Sequence, residues 1–120
     1  MNIVAGGPGT VGTVAVRVSL THTFDADLDI SLASPLSTTV DLSSDNGATG
    51  DNYTNTVFVD SAAVSILAGA PPFTGSFRPE VALSALTGQS VAGTWRGLVN
   101  DDTAGFQGTL AEYALAICIQ

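Results

Sequence analysis

The sequence predicts an all-β fold packed as a sandwich, on three observations. Val14, Val16, Val18 and Leu20 recur at period two, the mark of a half-buried strand. Short runs of the same character return along the chain, and Pro, Gly, Asn and Asp clusters punctuate them. No segment is compelled to be helical. Many short strands at regular spacing are the signature of two packed sheets.

Residues 1–13 are expected to form a Gly-rich, irregular lead-in, with one β-sandwich over 14–120. The lead-in holds a literal G-x-G-x-x-G at Gly7, Gly9 and Gly12. That pattern binds a pyrophosphate only where a helix follows, and here a strand follows, so a dinucleotide site is rejected. The first strand covers Val14–Leu20, and the second carries Leu28, Ile30 and Leu32 on its buried face. Further strands are expected at Thr39–Leu42, Thr56–Val59, Val64–Leu67 and Thr94–Val99. Turns fall at Ser34-Pro35, Asp45-Asn46-Gly47, Pro71-Pro72 and Gly75. Leu110–Ile119 also traces a helical stripe, but Ile117-Cys118-Ile119 favours sheet. A closing strand is expected there, with Tyr113, Leu115, Ile117 and Ile119 facing in.

Length and charge narrow the function. A chain of 120 residues is one domain and buries about two-thirds of its unfolded surface. Eleven acidic residues face three cations, all arginine, for a net charge of −8. Such a chain has no basic face with which to track phosphates, so nucleic acid is excluded as a partner. Docking on an anionic membrane is excluded for the same reason, and the longest apolar run, Ala114–Ile119, is far too short to span a bilayer. No charged segment precedes an apolar stretch at the start, so no signal peptide is expected in these residues. One Cys and one His cannot make a disulfide or a thiolate–imidazole zinc site.

Several blocks then occur in a telling order. They are Thr21-His22-Thr23, Asp27-Leu28, Ser34-Pro35, Gly50-Asp51-Asn52, Thr56-Val57-Phe58-Val59-Asp60 and Ala70-Pro71-Pro72-Phe73-Thr74-Gly75. Phe77-Arg78-Pro79-Glu80, Gly93-Thr94-Trp95, Asp101 and Gly108-Thr109-Leu110 follow. The series resembles the P domain of proprotein convertases and subtilisin-like serine proteases, in its bacterial branch. The resemblance implies a jelly-roll β-sandwich of the galactose-binding-domain-like kind, without a catalytic triad. It implies a secreted protein, with a subtilisin-like catalytic domain in the same chain as the partner. The role implied is to aid folding and stability and to help present protein substrate. Two positions depart from the family pattern. Ser37 stands where the first turn carries Gly, and Gly97 stands where a Leu normally enters the core. Loss of that Leu costs about 2–4 kcal/mol of packing unless neighbours fill the space.

The residues themselves offer no machinery for catalysis. Nucleophilic catalysis would need His22, which has no nucleophile elbow or oxyanion motif to serve. A hydrogen-bonded structural histidine is expected. No spacing singles out the opposed carboxylate pair of a glycosidase.

The acids are more informative. Asp25, Asp27 and Asp29 at spacing two would project from one face of an extended strand, about 7 Å apart. An EF-hand is rejected, because Ile30 and Leu36 occupy its Gly and Glu positions. Carboxylates gathered from separate loops would suit Ca²⁺, and an acidic solvated surface is the alternative the residues leave open. The resemblance favours calcium and implies Asp27, Asp51, Asp60 and Asp101 as ligands, with Asp25, Asp29, Asn52 and Asp102 as further candidates. In animal convertases the family Asp at the position of Asp27 ends an Arg-Gly-Asp; here Asp25-Ala26 precede it, so an integrin role does not carry over.

Trp95 is expected in the core and Cys118 as a buried inert thiol, while Phe73 and Phe77 would be exposed on a Pro-rich loop at residues 70–80. The other function in play is a carbohydrate- or protein-binding module of a multidomain secreted protein, since jelly rolls host many functions.

Overall fold

The computed structural model describes residues 1–23, 25–101 and 108–120. Among these described residues, eight strands form two four-stranded sheets. In chain order they are β1 (Asn2–Ala5), β2 (Val11–His22), β3 (Leu28–Ala33), β4 (Thr39–Ser44), β5 (Tyr53–Phe58), β6 (Gly75–Phe77), β7 (Gly93–Asp101) and β8 (Gly108–Ile119). One sheet runs β1-β7-β3-β4 and the other β6-β5-β2-β8. The pairings are antiparallel except β5 with β6. The result is an all-β, jelly-roll-like sandwich, as the alternation of residues 14–20 foretells.

The core lies where the inward faces meet. Val14, Val16, Val18 and Leu20 of β2 are buried on one side, and Leu28, Ile30 and Leu32 of β3 on the other. Trp95 is fully buried in β7, and its indole N–H donates to the Val91 carbonyl at 3.0 Å. A Trp needs such an acceptor once it leaves water.

Several local expectations are corrected. Part of the Gly-rich lead-in is ordered as β1, paired with β7 from Asn2–Arg96 to Ala5–Gly93. Val64–Leu67 is not a strand. Ser65 touches Arg78 by a single bridge, and its hydroxyl accepts the Leu67 N–H to open a 3₁₀ turn at Ile66–Ala68. Phe73 is fully buried, stacked on Tyr53 at 4.6 Å, and Phe77 meets Phe73 edge-on at 6.0 Å, half-buried. The Pro-rich loop thus turns its aromatics inward, because the Tyr53 ring offers them an apolar face. β8 is a strand as expected, with Tyr113 buried, but Ile119, although paired with Val11 of β2, is exposed, and so is Cys118. Period two fixes that outcome for Cys118: it points away from the face that Ile117 and Tyr113 share.

Candidate metal centre

The chain crosses from one sheet to the other between β2 and β3, and the acids gather at this crossover. Asp25–Asp27 form a 3₁₀ turn, so the expected extended face of Asp25, Asp27 and Asp29 does not exist; only Asp29 lies in β3. Asp and Ala are poor strand residues, and the change of sheet needs a bend that a strand cannot supply.

The 45–52 loop wraps this turn. Asp25 N–H donates to the Gly50 carbonyl at 2.9 Å, Ala26 N–H to Ala48 at 3.2 Å, and Asp45 N–H to Leu28 at 3.0 Å. Asn52 and His22 exchange bonds: the Asn52 N–H donates to the His22 carbonyl, and its side-chain oxygen accepts the His22 N–H. Gly47 has a φ of 98°, and a Cβ there would meet Asp25 Cβ at 2.8 Å, so the loop closes on Asp25 only with glycine at this position.

Asp25 is fully buried and Asp27 nearly so. Neither carboxylate oxygen of Asp25 has a hydrogen-bond partner, nor has Oδ2 of Asp27. Burial pushes Asp25 up to about 7. The Asn52 backbone N–H and the charge of His22 pull it down, while Asp51 pushes it further up. The Asn52 N–H has its hydrogen bond with His22, so it faces Asp25 without satisfying it. A buried carboxylate without donors takes a proton or a cation.

The other expected ligands lie apart from this pair or only at its rim. Asp51 is exposed on the wrapping loop, and its charge reaches Asp25. Asn52 is engaged with His22. Asp60 follows the far end of β5, about 17 Å or more from the Tyr53 end. Its two oxygens accept the Leu83 and Ser84 N–H groups at 2.8 and 2.9 Å, which open the 3₁₀ turn at Leu83–Leu86. Asp101 accepts from His22 Nε2 at 2.9 Å, which makes His22 the hydrogen-bonded structural histidine expected. Asp102 lies outside the described residues. Among those described, no three His, Cys, Asp or Glu side chains converge on one point. A cation at Asp25 and Asp27 would therefore draw its remaining ligands from backbone carbonyls and water, as Ca²⁺ readily does. Sequence reasoning missed the loop carbonyls and Gly47; the Asp45-Asn46-Gly47 turn was the only signal that the chain doubles back here.

Residues 11–117 match the family model of the proprotein convertase P-domain. The chain is also similar to two crystal structures from Aeromonas sobria. One is a serine protease in complex with a chaperone: identity is 27%, the TM-score 0.55, and the match covers 99% of this chain and 19% of that one. The other is the serine protease of the same organism, at 25% identity and a TM-score of 0.53, covering 99% and 20%. The chain thus spans about one fifth of the length of these structures. No curated protein matches it.

Proposed function

The chain belongs to the proprotein convertase P-domain family, a non-catalytic accessory domain of proteases, and on that premise we propose that it supports folding and stability of a secreted, subtilisin-like serine protease. We further propose that Ca²⁺ held by Asp25 and Asp27 ties the β2–β3 crossover to the 45–52 loop. The family match over residues 11–117 favours this reading over a free-standing carbohydrate- or protein-binding module.

The observation that carries the calcium proposal is Asp25, buried with both oxygens lacking a donor. Asp51 adds like charge to the buried Asp25 in a chain of net charge −8, and a divalent cation relieves that repulsion. Bound Ca²⁺ neutralises the pair and adds no chemistry to a reaction. At a hundredfold excess over its dissociation constant it stabilises the fold by about 2.7 kcal/mol, a melting shift of about 10 °C at this length. Melts in EDTA and in millimolar Ca²⁺ test it. The expected result is a shift that Mg²⁺ does not reproduce and that Asp27→Asn removes; identical melts refute calcium. Deleting these residues from the parent protease tests the accessory role separately, through the yield of active enzyme.

A further inference from the structure

The sheet edges of this sandwich are unequally protected. The outer edge of β4 is partly covered, since the Glu80 and Val81 N–H groups donate to the Leu42 and Asp41 carbonyls, both at 3.0 Å. β1 and β6 are short edges of four and three residues. β8 is an edge of twelve residues, Gly108–Ile119, and its one neighbour in the sheet is β2. Among the described residues, no backbone hydrogen bond meets its outer side. It holds no Pro, Lys or Arg, the residues that usually guard an edge. Its single charge, Glu112, is held by Arg17, with Nε at 2.6 Å and Nη2 at 3.1 Å.

The register shows which groups of β8 are free. The Gln120 N–H donates to the Thr10 carbonyl at 3.0 Å. Backbone groups alternate sides along a strand, so Glu112, Ala114, Ala116 and Cys118 also bond toward β2. The N–H and C=O groups of Tyr113, Leu115 and Ile117 therefore point out from the edge. The pairing skips residue 111, between Ser19–Glu112 and Leu20–Leu110, so the regular edge begins at Glu112. On the core side Tyr113 is buried, but Leu115 and Ile117 are only half-buried against the core. On the other side Ala114 and Ala116 are too small to obstruct an incoming strand.

We propose that β8 pairs antiparallel with β8 of a second copy of this chain, about a two-fold axis at Leu115. The two β6-β5-β2-β8 sheets then join into one. A second copy is the occupant because this edge is complementary to itself. Centred on Leu115, the regular span 112–118 pairs with its own copy along its whole length. Leu115 meets Leu115 of the second copy, and Tyr113 meets Ile117, an aromatic–β-branched pair of the kind that stabilises sheets. Main-chain bonds form at these positions, and Leu115 and Ile117 gain cover. Glu112 lies opposite Cys118, so the two Glu112 side chains stand six residues apart along the strand. That is about 20 Å, well beyond a screening length of about 8 Å. Centring on Tyr113 would bring them to about 7 Å along the strand, and centring on Glu112 would set them face to face. The pairing uses each edge once and closes at two copies. It does not involve the Asp25–Asp27 pair and stands whether or not that pair binds calcium.

Sedimentation equilibrium of the 120-residue chain, in millimolar Ca²⁺ and again in EDTA, tests the pairing. A monomer–dimer equilibrium is expected in both. It should tighten about tenfold from low to high salt, because two copies of net charge −8 repel less when screened. Leu115→Lys sets two ammonium groups face to face at the axis and should weaken the dimer about a hundredfold or more. Where that variant fails to fold, cross-linking serves. Leu115→Cys combined with Cys118→Ser should oxidise to a covalent dimer, since Cα atoms of a hydrogen-bonded pair lie about 5.5 Å apart, within disulfide reach. The wild type should not cross-link, since its exposed Cys118 thiols would lie about 20 Å apart. Four results each overturn the proposal: a monomer at all concentrations and both salts, an assembly larger than two, a dimer that Leu115→Lys leaves intact, or cross-linking of the wild type rather than of the double variant.

Discussion

The Tyr113 ring of β8 occupies the space that a side chain at Gly97 of β7 would fill. A Cβ at Gly97 would lie 2.5 Å from Tyr113 Cε1 and 2.7 Å from Cζ. The ring reaches across the sandwich, and its hydroxyl donates to the Ser31 carbonyl at 2.6 Å, on the strand next to β7. The gap expected from a missing Leu is therefore closed from the opposite sheet. Restoring the Leu should do harm. Gly97→Leu is expected to destabilise by about 1–3 kcal/mol through overpacking. Gly97→Leu with Tyr113→Ala should recover part of that loss, a coupling of about 1 kcal/mol or more in a urea-denaturation double-mutant cycle. Additive losses would show that the two residues do not share the space.

Ser37, the other departure from the family pattern, has a φ of 66°. Its N–H donates to the Ser34 carbonyl at 2.8 Å, closing the turn between β3 and β4. A side chain in the left-handed region costs about 1–2 kcal/mol, which glycine avoids at some cost in unfolded-state entropy. Ser37→Gly should therefore stabilise by about 0.5 kcal/mol and Ser37→Val destabilise by about 1 kcal/mol or more. Equal melting temperatures for the two variants would refute the strain argument.

Features legible in the sequence are those a short window encodes. The alternation of Val14 to Leu20 fixed a strand face, and the Ile117-Cys118-Ile119 run separated strand from helix in β8. The acids were not legible in this way, since spacing two at Asp25, Asp27 and Asp29 reads the same on a strand as on a turn. The choice was made by the crossover between sheets and by the 45–52 loop closing over it. Burial of Phe73 depended on Tyr53, twenty residues away. The pairing of His22 with Asp101 joins the ends of two strands in different sheets, and no local pattern announces it.

Asp60 illustrates an acid with a structural task. Its carboxylate holds two backbone N–H groups at the start of the Leu83–Leu86 turn, and Leu83 and Leu86 are core residues. Asp60→Ala should cost about 1–3 kcal/mol by leaving those donors to water or unsatisfied. The loss should be the same in EDTA and in Ca²⁺. A variant that melts normally in EDTA but no longer responds to Ca²⁺ would make Asp60 a ligand instead.

The pH dependence of stability should reverse between the chelated and the calcium-loaded protein. Burial raises Asp25 in the folded chain from 3.8 to about 7. Without a cation, the folded state therefore holds a proton that the unfolded chain releases between those values. The unfolded state binds fewer protons in this window, so stability falls as pH rises from about 4 to 7 and is flat above. Ca²⁺ binds the ionised form and opposes that loss, so the melting shift it causes should grow from pH 5 to pH 8. His22 and Asp51 also act on the charge of Asp25, which makes a control necessary. Asp25→Asn cannot titrate, so in EDTA it should flatten the slope between pH 5 and 7 while leaving His22 and Asp51 in place. Melting temperatures in EDTA that rise across this window, or the same slope in Asp25→Asn, would mean that Asp25 is ionised in the cation-free fold.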